Sequence, residues 1–428
     1  MYRSGLRWTG VALALFAVAW GGNQFTPLLV MYRQHSGFSS QAVTLLLAAY
    51  VLGIIPALLL GGPLSDRYGR RPLMYPAPVL AALGSGVLAV GAGSEPVLFA
   101  GRVLCGVALG LGMAAGSSWL KELVEITEPG SGRGAGRASI SLSAGFALGA
   151  AVAAALAQYA PWPTVLPYLV QVAVAGLAMV ALIGTAETRR PRPDRRRGTL
   201  LGDLVVPAAR QRRFLTVIMP TAPWIFGLAG SAYAVLPMLA GGWTDGIETA
   251  WSGLHCLIAL GCGIAVQPLG RRLGGFGAVR ALTVGMITGL FGLLLGAFEI
   301  TAPDPTGFLI SAAVLGCGYG LLLTAGLQEV QRLAGPDDLA GLTAVFYALA
   351  YLGFFVPMVL AELRSWVGYP VMFVAGAGLA LSCLLVVLIA GRTREQSAVN
   401  DGELAERGES DQLGLGLPTA ADAPASHH

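Results

Sequence analysis

Long apolar stretches recur along the whole chain and constrain its fold more than any other feature. Each holds about 20 mostly apolar residues, the length that a helix needs to cross a bilayer while satisfying its own backbone polar groups. The sequence therefore predicts an all-α, polytopic membrane protein with twelve transmembrane helices. These segments, numbered 1 to 12, are Thr9–Met31, Gln41–Gly62, Pro72–Ala92, Pro96–Leu120, Ala138–Tyr159, Thr164–Ala186, Phe214–Ala240, Thr249–Leu269, Ala278–Ile300, Gly307–Gln328, Leu339–Leu360 and Pro370–Gly391.

The charge content agrees with a lipid environment. Charged residues make up 12% of the chain, whereas soluble domains carry about 25%. So few charges cannot cover the surface of a soluble protein of this length, which excludes a soluble enzyme. The five cysteines lie in or beside apolar stretches without metal-ligand spacing. We therefore expect them to pack as small apolar residues and predict no metal site.

The basic residues predict the orientation in the membrane. All but three of the 27 basic residues lie in the N-terminal arm, in or at the edge of the loops after even-numbered segments, or in the C-terminal tail. The exceptions are Arg33, Arg102 and Arg364. Cytoplasmic loops of membrane proteins are enriched in Lys and Arg. We therefore expect a multi-pass protein of the inner (cytoplasmic) membrane with both termini in the cytoplasm.

An arginine-rich interruption divides the segments into six and six. Residues 187–213 contain nine arginines, which beside a membrane favour contact with anionic lipid over nucleic-acid binding. The tail is polar and rich in Gly, Ala and Pro, a composition typical of disorder. The predicted divisions are an N-terminal half (1–186), a cytoplasmic basic linker (187–213), a C-terminal half (214–391) and a disordered cytoplasmic tail (392–428).

The loop after segment 2 carries the most specific motif, GPLSDRYGRR, from Gly62 to Arg71. Gly62 is expected to let segment 2 approach a neighbouring helix closely. Asp66 can pair with a basic residue or with a helix N-terminus, and Gly69 permits a tight turn. The arginines expected to anchor this turn at the headgroups are Arg67, Arg70 and Arg71.

This loop resembles the signature G-x-x-x-D-[RK]-x-G-R-[RK] of the major facilitator superfamily, and every defined position matches. Within the superfamily the sequence is most similar in pattern to the drug/proton-antiporter-like branch, and the resemblance extends over residues 8–391. It implies two six-helix pseudo-repeat halves, alternating access to a central site, and no enzymatic activity. It also implies that the motif stabilises one conformation at a cytoplasmic gate.

An internal repeat supports the two-half organisation. Residues 267–274, after segment 8, align with residues 62–69, but Arg271 replaces Asp66. We therefore expect the acidic gate element only in the first half. The same glycine spacing occurs in segments 4 and 10, at Gly106 and Gly110 and at Gly316 and Gly320.

Three ionisable residues are candidates for coupling transport to protons. Arg102 lies inside segment 4, where an ionisable residue is a functional hypothesis by default. In exporters of the superfamily an arginine in this context is associated with proton coupling, while the alternative is that it snorkels to the interface. His255 is the only histidine in a segment, and Glu329 lies at the inner end of segment 10. Segment 5 lacks the glycine-proline pair usual in antiporters, which leaves the direction of transport open.

Polar and aromatic residues within the segments are candidates for lining a substrate cavity. Asn23 and Gln24 follow two glycines and precede Pro27, which favours an irregular helix beside a wet cavity; hydrogen bonding between helices is the alternative. The middle of segments 1–6 lacks carboxylates, which fits neutral, zwitterionic or anionic substrates. The other cavity candidates are Gln171, Trp224, Tyr233, Tyr347 and Tyr351.

These features predict a secondary-active transporter that moves a small organic solute by rocking two halves about a central site. The proton gradient is the expected energy source, because the sequence has no phosphate-binding glycine loop with Lys-Ser/Thr, and no cofactor is expected. Export is the first expectation and uptake of a metabolite the second. A non-transporting sensor and a membrane enzyme are the remaining alternatives. We expect a monomer whose partners are its substrate and the bilayer.

Overall fold

The computed structural model describes residues 8–131, 133–189, 206–334 and 339–412. Within these residues there are no strands, and the predicted all-α fold with twelve spans is confirmed. Eleven helices are long and apolar enough to cross a membrane, and a twelfth is shorter. In chain order α1 to α12 are Trp8–Arg33, Gln41–Tyr68, Arg70–Val90, Glu95–Thr127, Gly134–Tyr159, Leu166–Leu182, Phe214–Leu239, Glu248–Gly275, Ala278–Thr301, Pro305–Leu333, Gly341–Leu363 and Tyr369–Gly391.

Helices α2, α4, α8 and α10 each extend several residues beyond the end of the predicted segment, and two other helices differ in length for local reasons. Helix α6 has only 17 residues, because Pro167 stands in its first turn and Gly184 follows its end at a φ of +82°. Helix α12 continues to Gln412, so residues 392–412 are helical where the composition predicted disorder. Glu, Gln, Ala and Arg in this stretch are good helix formers. Residues 190–205 of the predicted linker and 413–428 of the predicted tail lie outside the described residues.

Four helices are irregular near their middle, and one of them is α4, which contains a π-helical turn at Gly112–Gly116. Helix α1 is interrupted between Asn23 and Leu28, where the amide of Thr26 bonds the carbonyl of Asn23 instead of that of Gly22. This confirms the irregular helix that the glycines and the proline predicted. Helix α7 contains a π-helical turn at Ser231–Val235, and α11 contains a 3-10 turn at Leu352–Phe355.

The helix contacts of the first half recur in the second. Helix α4 packs on α2 and α3, and α10 packs on α8 and α9 in the same order. Gly106 faces the carbonyl of Tyr50 in α2, just as Gly316 faces the carbonyl of Ala259 in α8. Without a side chain at these positions the helix backbones come close together. The glycine repeat therefore marks equivalent packing surfaces.

The halves meet chiefly along two helix pairs, α5 with α8 and α2 with α11, and the end of α1 also contacts α8. At the end that carries residues 62–71, called here the arginine-rich end, the Ser139 hydroxyl donates to Gln267 Oε1 at 3.4 Å. At the opposite end, Gln158 accepts from the amide of Ala250 at 3.1 Å and donates to the carbonyl of Gly246 at 2.8 Å. Helices α5 and α8 are thus joined at both of their ends.

Candidate functional site

A small cavity lies between the two halves. Its free volume is about 10 Å³, the room that about one water molecule needs. The first half lines it with Gly22, Asn23, Thr26, Tyr50, Arg102 and Phe146. The second half lines it with Phe226, Leu260, Tyr233, Tyr319, Tyr351 and Phe354.

The irregular turns of α1, α7 and α11 bring side chains to this cavity. Thr26 lies in the interruption of α1, Tyr233 in the π-helical turn of α7, and Phe354 in the 3-10 turn of α11. Non-helical backbone at membrane depth is tolerated where it is buried in protein or lines a cavity. Three of the four irregular turns therefore converge on one site, whereas the π-helical turn of α4 does not line it.

Arg102 is the only charged residue among those that line the cavity, and its side chain is fully buried. Its Nε donates to the carbonyl of Leu46 and its Nη1 to the carbonyl of Gly22, both at 3.1 Å. The guanidinium carbon also lies 4.7 Å from the centre of the Phe25 ring and 4.4 Å from that of Tyr50. Snorkelling to the interface is therefore the wrong interpretation of this residue.

The local sequence explains how Arg102 is held. The interruption of α1 releases the Gly22 carbonyl from its helical partner, so that the carbonyl is available to Arg102. A side chain at Gly22 would overlap the Tyr50 hydroxyl, and one at Gly106 would overlap the Tyr50 carbonyl. The two glycines thus let Tyr50 approach both α1 and α4, which places its ring over the guanidinium.

An aromatic stack forms the wall that the second half contributes. The ring of Phe226 lies 4.4 Å from that of Tyr351 and 4.9 Å from that of Phe354, with interplanar angles of 16° and 26°. The Tyr351 hydroxyl donates to the sulfur of Met113 in α4 at 3.3 Å. This wall is therefore aromatic and joined to the opposite half by a hydrogen bond.

A wider vestibule of about 500 Å³ opens between the halves at the end opposite the arginine-rich end. Arg33 and Ser39 line it from the first half, and Thr244, Asp245 and Glu248 from the second. Its charges and hydroxyls contrast with the aromatic walls of the cavity. The vestibule is therefore a polar opening between the halves at one end of the helix bundle.

At the arginine-rich end, Arg70 joins three parts of the first half. Its guanidinium lies 3.0 Å from Asp66 and 2.8 Å from Glu122 of α4, and it donates to the Ser65 hydroxyl at 2.9 Å. Asp66 also lies 3.3 Å from Arg189, which follows α6. The predicted pairing of Asp66 with a basic residue is thus present in the structure.

The turn at Gly69 is closed by an acid that the motif does not include. Gly69 has a φ of +104°, in the region that favours glycine, and α3 starts immediately after it. Glu187 accepts hydrogen bonds from the amides of Arg70 at 3.0 Å and Arg71 at 2.8 Å. A carboxylate at a helix N-terminus satisfies free N–H groups and complements the helix dipole.

The prediction for Gly62 is wrong by one residue. A side chain at Gly62 would meet open space, whereas one at Gly61 would contact Ala114 of α4. One helical residue corresponds to a rotation of about 100°, so adjacent glycines face different surroundings. Gly61 is the residue that allows α2 to approach its neighbour.

The second half has an acidic element of its own at this end, contrary to the expectation from Arg271. Glu329 of α10 is fully buried and forms an ion pair with Arg213, next to the start of α7. Arg332 lies 3.8 Å from the same carboxylate. Arg271, at the position equivalent to Asp66, is exposed. The buried acid of the second half therefore lies on α10, and not at the position equivalent to Asp66.

One loop at the arginine-rich end contains a glutamate whose pKa is lowered by a neighbouring arginine. Glu128 lies between α4 and α5 and is joined to Arg137 through hydrogen bonds of 2.9 and 3.1 Å. These bonds to the guanidinium lower the pKa of the Glu128 carboxyl because they favour its charged form. The Arg137 guanidinium in turn lies 4.1 Å from the centre of the Trp8 ring.

Comparison with known proteins identifies the family. The sequence profile of the Major Facilitator Superfamily matches residues 11–275, more than half of the chain. The protein belongs to the major facilitator superfamily. As a member of this superfamily it is a multi-pass membrane transporter.

The superfamily member is also similar to individual proteins. It is 31% identical over 91 residues to the bacillibactin exporter of Bacillus subtilis (strain 168), a match that spans 20% of this chain and 23% of that exporter. A POT family transporter solved with 5-aminolevulinic acid has a TM-score of 0.70 at 13% identity, covering 90% of this chain and 95% of that one. The nucleoside transporter NupG has a TM-score of 0.70 at 10% identity, covering 89% and 99%. These structural likenesses extend the shared fold to the second half.

The structure gathers some of the predicted cavity residues in this transporter and separates others. Asn23, Tyr233 and Tyr351 line the central cavity together with Arg102. Gln24 is buried within the first half, where it donates to Ser85 at 2.9 Å. The remaining candidates that do not line it are Gln171, Trp224 and Tyr347. Gln171 instead donates to the carbonyl of Ala17 at 2.9 Å, as the hydrogen-bonding alternative predicted.

The remaining coupling candidates lie away from the cavity. His255 is fully buried and does not line it; its Nδ1 lies 3.0 Å from the carbonyl of Trp251 in the same helix. Glu329 lies at the arginine-rich end. Tyr50 and Phe226, which contact several cavity residues, were not predicted. Their common signal is a large aromatic residue close to a glycine in the middle of a segment.

Proposed function

We propose that this superfamily member exports a small organic solute by proton-coupled alternating access, with its arginine-rich end in the cytoplasm. The observation that carries this proposal is the cavity that both halves line where α1, α7 and α11 are irregular. A site shared by two halves changes its access when they rock against each other. The similarity to an exporter over 91 residues supports export rather than uptake.

The two ends of the bundle fit different roles in this cycle. The excess of arginines at one end supports its cytoplasmic orientation through the positive-inside rule. The vestibule at the other end then serves as the external exit. The network of Asp66, Arg70 and Glu122 is the internal gate element, and Arg102, His255 and Glu329 are the candidates for coupling.

A sensitivity and uptake screen of cells with and without the protein provides candidate solutes. Flux of each solute is then measured in proteoliposomes with an imposed pH gradient of either sign and with none. We expect flux that is driven by protons moving the opposite way. Flux that ignores the gradient contradicts coupling, flux that follows the proton contradicts export by antiport, and binding without flux contradicts transport.

Two matched variants assign the flux to the central cavity. Phe226→Trp enlarges a ring in a cavity with little free volume, so it should abolish flux while the protein still folds. Phe298→Trp places the same change on α9 at a side chain that is 61% exposed, and flux should continue. Equal flux in both variants contradicts the assignment of the pathway.

A further inference from the structure

The polar groups of the central cavity differ in whether they have partners. Asn23 donates to the carbonyl of Phe146 at 3.0 Å and accepts from the Thr26 hydroxyl at 2.8 Å. The side-chain amide of Asn23 and the hydroxyl of Thr26 therefore both have hydrogen-bond partners within the protein. In contrast, Arg102 Nη2 and the Tyr50 hydroxyl are buried without a hydrogen-bond partner. Both can donate a hydrogen bond. An acceptor bound in the cavity would pair with both groups.

The charge of Arg102 is also uncompensated. Among the described residues, no carboxylate lies within ion-pair distance of its guanidinium, whose protein partners are two carbonyls and two rings. A guanidinium is not deprotonated in a protein, and burying a charge without a counter-charge is costly. Carbonyls and cation–π contacts offset part of that cost. An anion in the cavity supplies both the acceptor and the missing charge.

The wall opposite Arg102 selects for a flat apolar group. Phe226, Tyr351 and Phe354 form a stack of nearly parallel rings, and the ring of Tyr50 meets that of Phe354 edge to face at 6.5 Å. Aromatic rings prefer offset stacking and edge-to-face contacts with one another. A ring on the ligand therefore finds partners in the second half, while its charge lies against the first.

We infer that the cavity binds a small aromatic organic anion, whose acidic oxygens accept from Arg102 Nη2 and the Tyr50 hydroxyl while its ring packs on Phe226 and Phe354. This inference rests on the proposed function and specifies its substrate class. The ligand contacts both halves, so binding is coupled to their approach. The cavity must widen to admit it, since its present free volume is about 10 Å³.

An isosteric series of probes separates charge from shape. Benzoate, benzamide and benzamidine have similar size and planarity but carry charges of −1, 0 and +1, and cyclohexanecarboxylate keeps the charge without the aromatic ring. Binding of each to the full-length protein in lipid nanodiscs is measured by isothermal titration calorimetry. We expect the affinity to fall from benzoate to benzamide to benzamidine and from benzoate to cyclohexanecarboxylate. Equal affinity across the charge series overturns the anion site, and equal affinity for the two carboxylates overturns the aromatic part.

Variants test the two proposed donors. Tyr50→Phe removes a hydroxyl that has no partner in the structure, so it should fold normally and weaken benzoate binding about tenfold. Arg102→Gln should abolish the preference for benzoate over benzamide, and Arg102→Lys should retain part of it. Arg364→Gln, outside the cavity, should change neither affinity. Unchanged benzoate binding in both Tyr50→Phe and Arg102→Gln overturns the inference even if one of them is poorly folded.

Flux distinguishes failure of this inference from failure of the proposed function. Benzenesulfonate is a suitable flux probe, because its permanent charge keeps it from leaking through lipid. If benzoate and benzenesulfonate bind but benzenesulfonate does not cross, the anion site stands and transport is contradicted. If neither anion binds while another solute crosses and Phe226→Trp blocks it, transport stands and the anion site is overturned.

Discussion

Replacing Arg70 should release α4 from α2 at the arginine-rich end, whereas replacing the adjacent Arg71 should not. Both arginines belong to the same motif, and either change to methionine removes one positive charge. Arg70 is buried between Asp66 and Glu122. Arg71 is exposed, with its guanidinium 4.8 Å from the centre of the Tyr75 ring. The pair therefore separates the effect of a buried network from that of charge alone.

The expected magnitude follows from the burial of the partners. Removing one partner of a fully buried ion pair costs about 3–5 kcal/mol. The side chain of Asp66 is 15% exposed and that of Glu122 is 31% exposed, so solvent screens the carboxylates left behind. We expect Arg70→Met to lower the local opening free energy by about 2–3 kcal/mol. At 1.4 kcal/mol for each factor of ten, this is about 30–150-fold in the opening equilibrium.

Hydrogen exchange read by mass spectrometry measures this opening directly in the full-length protein in nanodiscs. Exchange at residues 62–68 and 120–127 should accelerate by the stated factor in Arg70→Met, since exchange follows the local opening free energy. Arg71→Met should change it by less than about threefold, the effect of an exposed charge. Equal acceleration in the two variants, or none in Arg70→Met, refutes the assignment of Arg70 as the residue that joins α2 to α4.

Three further outcomes test other parts of the structure. Asp66→Asn should slow transport in proteoliposomes because it weakens the gate element that we propose at the arginine-rich end, and a normal rate would remove that role. Gly106→Ala should lower the stability of the detergent-solubilised protein by at least about 1 kcal/mol, since a methyl group there overlaps the Tyr50 carbonyl. Gly176→Ala, which meets open space, should not, and equal thermal stability of the two variants contradicts the packing. The hydrogen bonds to Arg137 that lower the pKa of Glu128 favour its charged form. They therefore contribute their full stability to the loop at any pH above the ordinary glutamate pKa of about 4.3. Exchange protection of residues 128–131 should therefore fall only as the pH drops below that value through the lowered pKa, and Glu128→Gln should lack this dependence.

The spans were predictable because hydropathy acts locally. A run of apolar residues must be buried in lipid or protein whatever its neighbours are, so eleven helices lie close to the predicted segments. Helix α6 is shorter because backbone geometry at Pro167 and Gly184 overrides the apolar run. The extension of α12 to Gln412 arises from helix-forming residues whose polarity had suggested disorder.

The site was only partly predictable, because its contacts join residues far apart in the chain. The cost of an ionisable group in a membrane singled out Arg102 without any partner, whereas its partners come from two other helices. Gln24 and Gln171 were recognised as unusual polar residues, but polarity does not tell whether a side chain faces a cavity or a neighbouring helix. Glu187 could have been found, because it is an acid at the first position of the arginine-rich linker, just before Arg189 and Arg190 in the charge pattern.

The hydrogen bonds between α5 and α8 are unequal at their two ends, which favours rotation of the pair about a pivot near Gln158. Separation at the arginine-rich end requires loss of one hydrogen bond of 3.4 Å, at Ser139. Separation at the opposite end requires loss of two shorter bonds to main-chain atoms. Each hydrogen bond contributes about 1 kcal/mol. The extra bond and the better geometry therefore make separation of the helices several-fold less favourable at Gln158 than at Ser139. A rotation about Gln158 then converts a small displacement near this residue into a larger one at the arginine-rich end.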